Sequence, residues 1–138
     1  MESSKHAALS PSKLPHLERC GLWEGSESSA ANRGAAVHKA IYELLAHGTQ
    51  CQDPSLAWLV DRAAGMQAEW AERWPDYRWE YEVPVHTGYE EVYGTADVIG
   101  TSPDGKHLVV ADWKTGAGKR DHAGRNLQAI AYAYGAAK

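Results

Sequence analysis

The feature that most constrains this chain is a change of hydrophobic period at Arg78, and a change back after residue 120. Before Arg78 apolar residues recur every three or four positions. Between 78 and 115 they alternate, and from Asp121 the helical spacing returns. A block of period two enclosed by blocks of period 3.6 folds as helices, then strands, then a helix, which places the chain in the α/β class. In the middle block Trp79, Tyr81, Val83 and Val85 alternate with Arg78, Glu80, Glu82 and Pro84, the pattern of a half-buried strand. A turn through Gly88 leads to a second strand over 91–100. Ser102-Pro103-Asp104-Gly105 is a turn sequence that joins it to a third over 107–115. Connections this short predict a three-stranded antiparallel meander. Leu108, Val109, Val110 and Ala111 are apolar on both faces, so the third strand is expected at the centre, covered on both sides.

The flanking helices follow from their stripes. Ser10-Pro11 with Leu14, Leu17 and Cys20 reads as a capped helix over 10–20, and 25–32 is a loop rich in Gly, Ser and Glu. Val37, Ala40, Ile41, Leu44 and Leu45 form the next stripe, ended by Gly48. After Pro54, Leu56, Leu59, Val60, Ala63, Met66, Gln67 and Trp70 form another, ended by Pro75. Leu127, Ile130, Ala131 and Tyr134 predict a last helix over 121–137 whose apolar stripe lies on the sheet. There are no internal repeats. At 138 residues and 43% hydrophobic content the chain is one domain. Three strands make a thin core, so a fragment, or a sheet completed by a further strand, is the expectation.

Composition excludes several functions. No apolar run reaches 18 residues, and the first ten lack the apolar stretch of a secretory signal, so a cytoplasmic, non-membrane protein is expected. Cys20 and Cys51 are too few and too far apart for a disulfide framework, a structural zinc site or a four-cysteine iron-sulfur cluster. A net charge of -4 argues against nucleic-acid binding by bulk neutralisation. Nucleic acid stays open all the same, because cation sites are lined with carboxylates and the stretches 5–19 and 114–125 are locally basic.

The residues fit for chemistry gather at the end of the third strand. Asp112 and Lys114, two apart, share a face, and pairing across the Pro103 turn brings Asp97 toward Asp112. Two carboxylates and an ammonium suit Mg²⁺ or Mn²⁺ and a hydrolytic phosphoester site; the competing reading is a surface ion pair. His38 lies on the interior side of its helix, where it needs a partner or a metal, a satisfied core histidine being the alternative. Gln128 and Tyr132, at i and i+4, share a flank distinct from the apolar stripe, a face able to look toward the end of the sheet. Glu80 and Glu82 read as solvated strand residues outside the site, although Glu82 is within reach of a metal there. Six tryptophans in a chain without Phe read as core residues, with base stacking as the alternative. Lys119 and Arg120 are either phosphate contacts or a solvated loop, and Gly116-Ala117-Gly118-Lys119 fails the P-loop pattern.

Taken in order, Arg33-Gly34 with His38, Gly94-Thr95-Ala96-Asp97, Asp112-Trp113-Lys114-Thr115-Gly116, and Gln128 with Tyr132 resemble the PD-(D/E)xK nuclease superfamily, RecB-like branch. The opening Leu9-Ser10-Pro11-Ser12-Lys13-Leu14 and Cys20 resemble that family's N-terminal helix. The resemblance implies a restriction-endonuclease-like core, a central mixed sheet flanked by helices. It makes 1–138 a single domain, with an N-terminal helix and loop over 1–32 and a catalytic core over 33–138. It also implies that His38, Asp97 and Asp112 ligate Mg²⁺ or Mn²⁺ with the Trp113 carbonyl, and that Lys114 activates the attacking water. Gln128 and Tyr132 would position DNA or brace the catalytic end of the sheet. The implied activity is a metal-dependent deoxyribonuclease, exonuclease over endonuclease, acting on free ends of single- or double-stranded DNA in recombination, repair or phage DNA processing. A helicase or recombination protein is the implied partner. Its rivals are a catalytically silent DNA-end-binding or scaffold module of the same fold, and a plain domain in which the same residues form ion pairs. Cluster-bearing relatives add a cysteine group after the last helix. None follows here, so no iron-sulfur cluster is expected. The family's usual further strand and helix are also absent from the sequence.

Overall fold

Each helix of the chain begins and ends where its local chemistry dictates. In the computed structural model, which describes residues 11, 14, 29–89, 93–114 and 127–137, α1 spans Ser29–His47 and α2 spans Pro54–Arg73. At the end of α1 the Gly48 N–H donates to the Leu44 carbonyl at 2.9 Å. Asp53 caps α2: its Oδ1 accepts from the Ser55 N–H at 2.9 Å and from the Ser55 hydroxyl at 2.7 Å, and Pro54 occupies the first turn. The two helices pack through Val37, Ile41, Leu56, Val60 and Ala63, all buried, and Trp113 lies against this cluster. Met66, expected in the stripe, is exposed.

The strands are β1 (Arg78–His86), β2 (Tyr93–Thr101) and β3 (Leu108–Ala111), in the order β1-β2-β3 and antiparallel throughout, the meander that the alternation predicts. Ser102 and Asp104 build the second turn. The Ser102 hydroxyl donates to Asp104 Oδ1 at 2.6 Å, while the Lys106 and His107 N–H groups donate to Asp104 and Ser102 side-chain oxygens, each at 3.0 Å.

Two expectations are corrected. Among the described strands the central one is β2, not the third: residues 96–100 of β2 are all buried, whereas β3 is a four-residue edge strand that is half-buried along its length. An apolar run marks a strand that packs on something, not its place in the order. The second correction concerns α3, Leu127–Ala136, which touches all three strands. Its inward face carries Gln128 and Tyr132, 5% and 4% exposed, while Ile130 and Tyr134 of the expected stripe are 44% and 50% exposed. Tyr132 packs with Val85, Ala96 and Ile99 in the second core cluster. The helix points its polar pair inward because hydrogen-bonding partners wait at the end of the sheet.

Of the helix expected over 10–20, only Pro11 and Leu14 are among the described residues, and Pro11 is fully buried. No helix among the described residues is long and apolar enough to cross a membrane.

Candidate metal and catalytic site

The register of the sheet assembles the site. Val98 pairs with Ala111, so the next step of the ladder sets Asp97 opposite Asp112, just past the end of β3. On the other side Tyr81 pairs with Val98 and Val83 with Ala96, so Glu82 stands opposite Asp97 with no residue inserted. Glu82, Asp97 and Asp112 therefore form one transverse row across three strands.

Each member of the row is held differently. Asp97 is deeply buried, its side chain 8% exposed, with His38 Nδ1 of α1 3.4 Å from Oδ1 and the Trp113 N–H donating to Oδ2 at 2.8 Å. Burial alone would raise its pKa, but the hydrogen bond and charge of His38, with the Trp113 N–H, hold it below the usual carboxylate value. The same bond from Asp97 raises the pKa of His38 against the opposing effect of burial. Asp112 is pushed up to about 6, first by burial and then by the facing charge of Asp97, with Lys114 pulling the other way.

Lys114 and Gln128 tie Asp112 to α3. Lys114 Nζ donates to Gln128 Oε1 at 2.5 Å and lies 2.6 Å from Asp112 Oδ2, while Gln128 Nε2 donates to Asp112 Oδ1 at 3.2 Å. The Lys114 contact is an ion pair whose direction leaves the buried Asp112 Oδ2 without a hydrogen bond. Tyr132 hydrogen-bonds to Gln128 and to the Thr95 backbone, and burial followed by the Asp112 charge pushes its pKa up to about 12. Gly94 makes this approach possible, since a Cβ there would stand 2.9 Å from Pro11 Cδ and 3.1 Å from the Tyr132 hydroxyl.

These contacts place the residues expected from the sequence. His38, Asp97, Asp112, Lys114, Gln128 and Tyr132 come together in one continuous network. Trp113 joins it through its N–H, a contact that sequence reasoning missed because backbone donors leave no mark on residue type. Lys119 and Arg120 lie outside the described residues, as does Cys20. Glu80 is exposed, 3.7 Å from Arg78, as expected of a solvated residue. Glu82 departs from that expectation. It is half-buried, with its pKa raised by burial and by Asp97 and Asp112, against His38. It is also the one non-glycine residue with positive φ (51°) among those described, a conformation that costs an ordinary side chain about 1–2 kcal/mol.

The tryptophans support the site from behind. Trp70 is sandwiched between Trp113 at 5.5 Å and Trp79 at 6.2 Å, with interplanar angles of 13° and 23°. Trp74 and Tyr77 extend the pile, and Arg73 caps Trp74 at 4.9 Å. Trp70, Trp74, Trp79 and Trp113 are only half-buried, so they stack on one another beside the core clusters instead of filling the core as expected. Trp58 is 61% exposed.

The donor chemistry suits a hard divalent cation: carboxylate oxygens, one of them buried without a hydrogen bond, and an imidazole at their edge. Among the described residues no group of three or more His, Cys, Asp or Glu side chains stands in coordination geometry, while Lys114 lies against Asp112 and His38 against Asp97.

Known proteins bear on this arrangement in one way. No curated protein and no solved structure matches the chain significantly. The family model described as the PD-(D/E)XK nuclease superfamily does match, over residues 8–138, a span that takes in α1, all three strands, α3 and every residue of the network just described. With its α/β frame carrying the acidic pair and the lysine at the strand end where that family's name puts them, the chain belongs to the PD-(D/E)XK nuclease superfamily.

Proposed function

We propose that this chain is a divalent-metal-dependent deoxyribonuclease that hydrolyses phosphodiester bonds, of the RecB-like kind and acting as an exonuclease. The observation that carries the reading is the meeting of Asp97, Asp112 and Lys114 at one end of the sheet, with Lys114 Nζ 2.6 Å from Asp112 Oδ2. Membership of a nuclease superfamily supports the reaction class.

Asp97 and Asp112, with His38 beside them, would hold Mg²⁺ or Mn²⁺, and the Trp113 carbonyl is a further donor in this reading. When bound, such an ion supplies Lewis-acid polarisation of a phosphoryl oxygen and a water of lowered pKa. The Trp113 N–H and His38 fix the orientation of Asp97 before any ligand arrives. Lys114 leaves Asp112 to face the scissile phosphate, where its ammonium offsets developing negative charge and orients the attacking water. Gln128 holds Lys114 and Asp112 in register, and Tyr132 holds Gln128. In the same reading Lys119 and Arg120 contact the DNA backbone.

The test is cleavage of labelled linear and circular, single- and double-stranded DNA with Mg²⁺, with Mn²⁺ and with EDTA, beside Asp112→Ala and Lys114→Ala. Metal-dependent degradation lost in both variants, with circles spared, is the expected result. Cleavage of circles would make the enzyme an endonuclease. Binding of ends by a folded chain without cleavage would leave a DNA-end-binding module in its place.

A further inference from the structure

We propose, on the metal-dependent reading above, that Glu82 is a metal-holding residue of the site, its carboxylate serving the cation from the β1 side of Asp97. The argument is one of register and charge. Residues opposite one another on antiparallel strands are side-chain neighbours, and the register puts Glu82 on one side of Asp97 and Asp112 on the other. Like charges set opposite one another destabilise a sheet, and this sheet sets three in a row. A histidine and a lysine meet them: His38 lies against Asp97 and Lys114 against Asp112. Among the described residues no hydrogen bond or ion pair answers Glu82, although it is half-buried. The row lacks positive charge on the Glu82 side, and a divalent cation supplies it.

The backbone gives the same residue a second peculiarity. Glu82 holds φ at 51° inside a ladder whose register is unchanged on either side, so the kink alters the aim of one side chain without shifting a strand. A glycine would hold that φ without strain.

The experiment separates the two features. Mn²⁺ binding is followed by the EPR signal of free Mn²⁺, with no DNA present, for the wild-type chain and for Glu82→Gln, Glu82→Gly and Glu80→Gln. Thermal melts of each metal-free protein are recorded alongside. We expect Glu82→Gln and Glu82→Gly to bind Mn²⁺ at least tenfold more weakly, and Glu80→Gln to bind like the wild type. Metal-free Glu82→Gly should melt above the wild type, having lost both the strain and a like charge. Wild-type affinity in a folded Glu82→Gln or Glu82→Gly protein would overturn the proposal while leaving the metal site intact. A folded wild-type chain that binds no Mn²⁺ would overturn the metal reading itself, and this one with it.

Discussion

Asp112 carries two opposed demands, and its protonation records the balance between them. Its pKa stands near 6 in the folded chain against an ordinary 3.8, because burial and Asp97 disfavour the charge more than Lys114 favours it. A carboxyl whose folded pKa is raised stabilises the fold fully below the unfolded value and loses that stabilisation as pH rises through the folded one. Metal-free protein should therefore lose about 2 kcal/mol from this group between pH 4 and pH 7. Asp112→Asn should not, and urea melts of both proteins across that range check it. His38 has a raised pKa too, so at neutral pH a proton competes with any ligand for its ring. Mn²⁺ binding should release protons and tighten between pH 5 and 8, read by calorimetry in buffers of different ionisation enthalpy. Lys114 behaves oppositely to the carboxylates. Lys114→Ala should lower cleavage about 10²- to 10⁴-fold yet bind Mn²⁺ as well as the wild type or better, since its ammonium no longer sits on Asp112.

The elements show how far pattern reaches. Helix, meander and helix were all legible, because hydrophobic period and turn residues are local signals. Asp97, Asp112, Lys114 and His38 were legible as chemistry because spacing on a strand or helix puts side chains on a common face. Strand order was not: the apolar run of β3 is compatible with a centre or an edge, and the five buried positions of β2 include Asp97 and Gly100, which no hydropathy pattern marks as core. The orientation of α3 was lost for a related reason. Gln128 and Tyr132 are buried by hydrogen bonds to Lys114, Asp112 and the Thr95 backbone, and specific bonds of this kind outrank an amphipathic stripe. Glu82 was set aside because its alternation suits a solvent-facing residue, while its place opposite Asp97 emerges only once the register is known. At Gly94, where α3 meets the sheet, a methyl group would crowd Pro11 and the Tyr132 hydroxyl. Gly94→Ala should cost about 1–3 kcal/mol, and adding Tyr132→Phe should recover part of it, a double-mutant cycle read by thermal melts. Three residues after Tyr132, a Cβ on Gly135 would overlap Val85, so the helix is held close to β2 at Tyr132 and to β1 at Gly135.

At the scale of the molecule, a site whose carboxylates repel one another stores its own demand for a ligand. Anything that binds the folded chain and not the unfolded one raises its stability in proportion to the logarithm of ligand over Kd. Mn²⁺ at a hundred times its Kd should therefore add about 2.7 kcal/mol, lost on EDTA addition and absent in a folded Asp97→Asn, Asp112→Asn double variant, as scanning calorimetry would record. On the metal-dependent reading cation and fold are coupled through that row, and the residues behind it link the same event to the rest of the chain. The Trp113 N–H steadies Asp97 while its ring rests on Trp70 and, through it, on Trp79. Nearly parallel indoles this close share their electronic excitation, so the pile should give a paired positive and negative band in the far-ultraviolet circular dichroism that isolated tryptophans lack. That couplet would weaken in Trp70→Ala, which removes the contacts with Trp113 and Trp79 and leaves that of Trp74 with Trp79, and would report the seating of Trp113 without a label. The chain thus carries beside its reactive end an optical gauge of its own assembly.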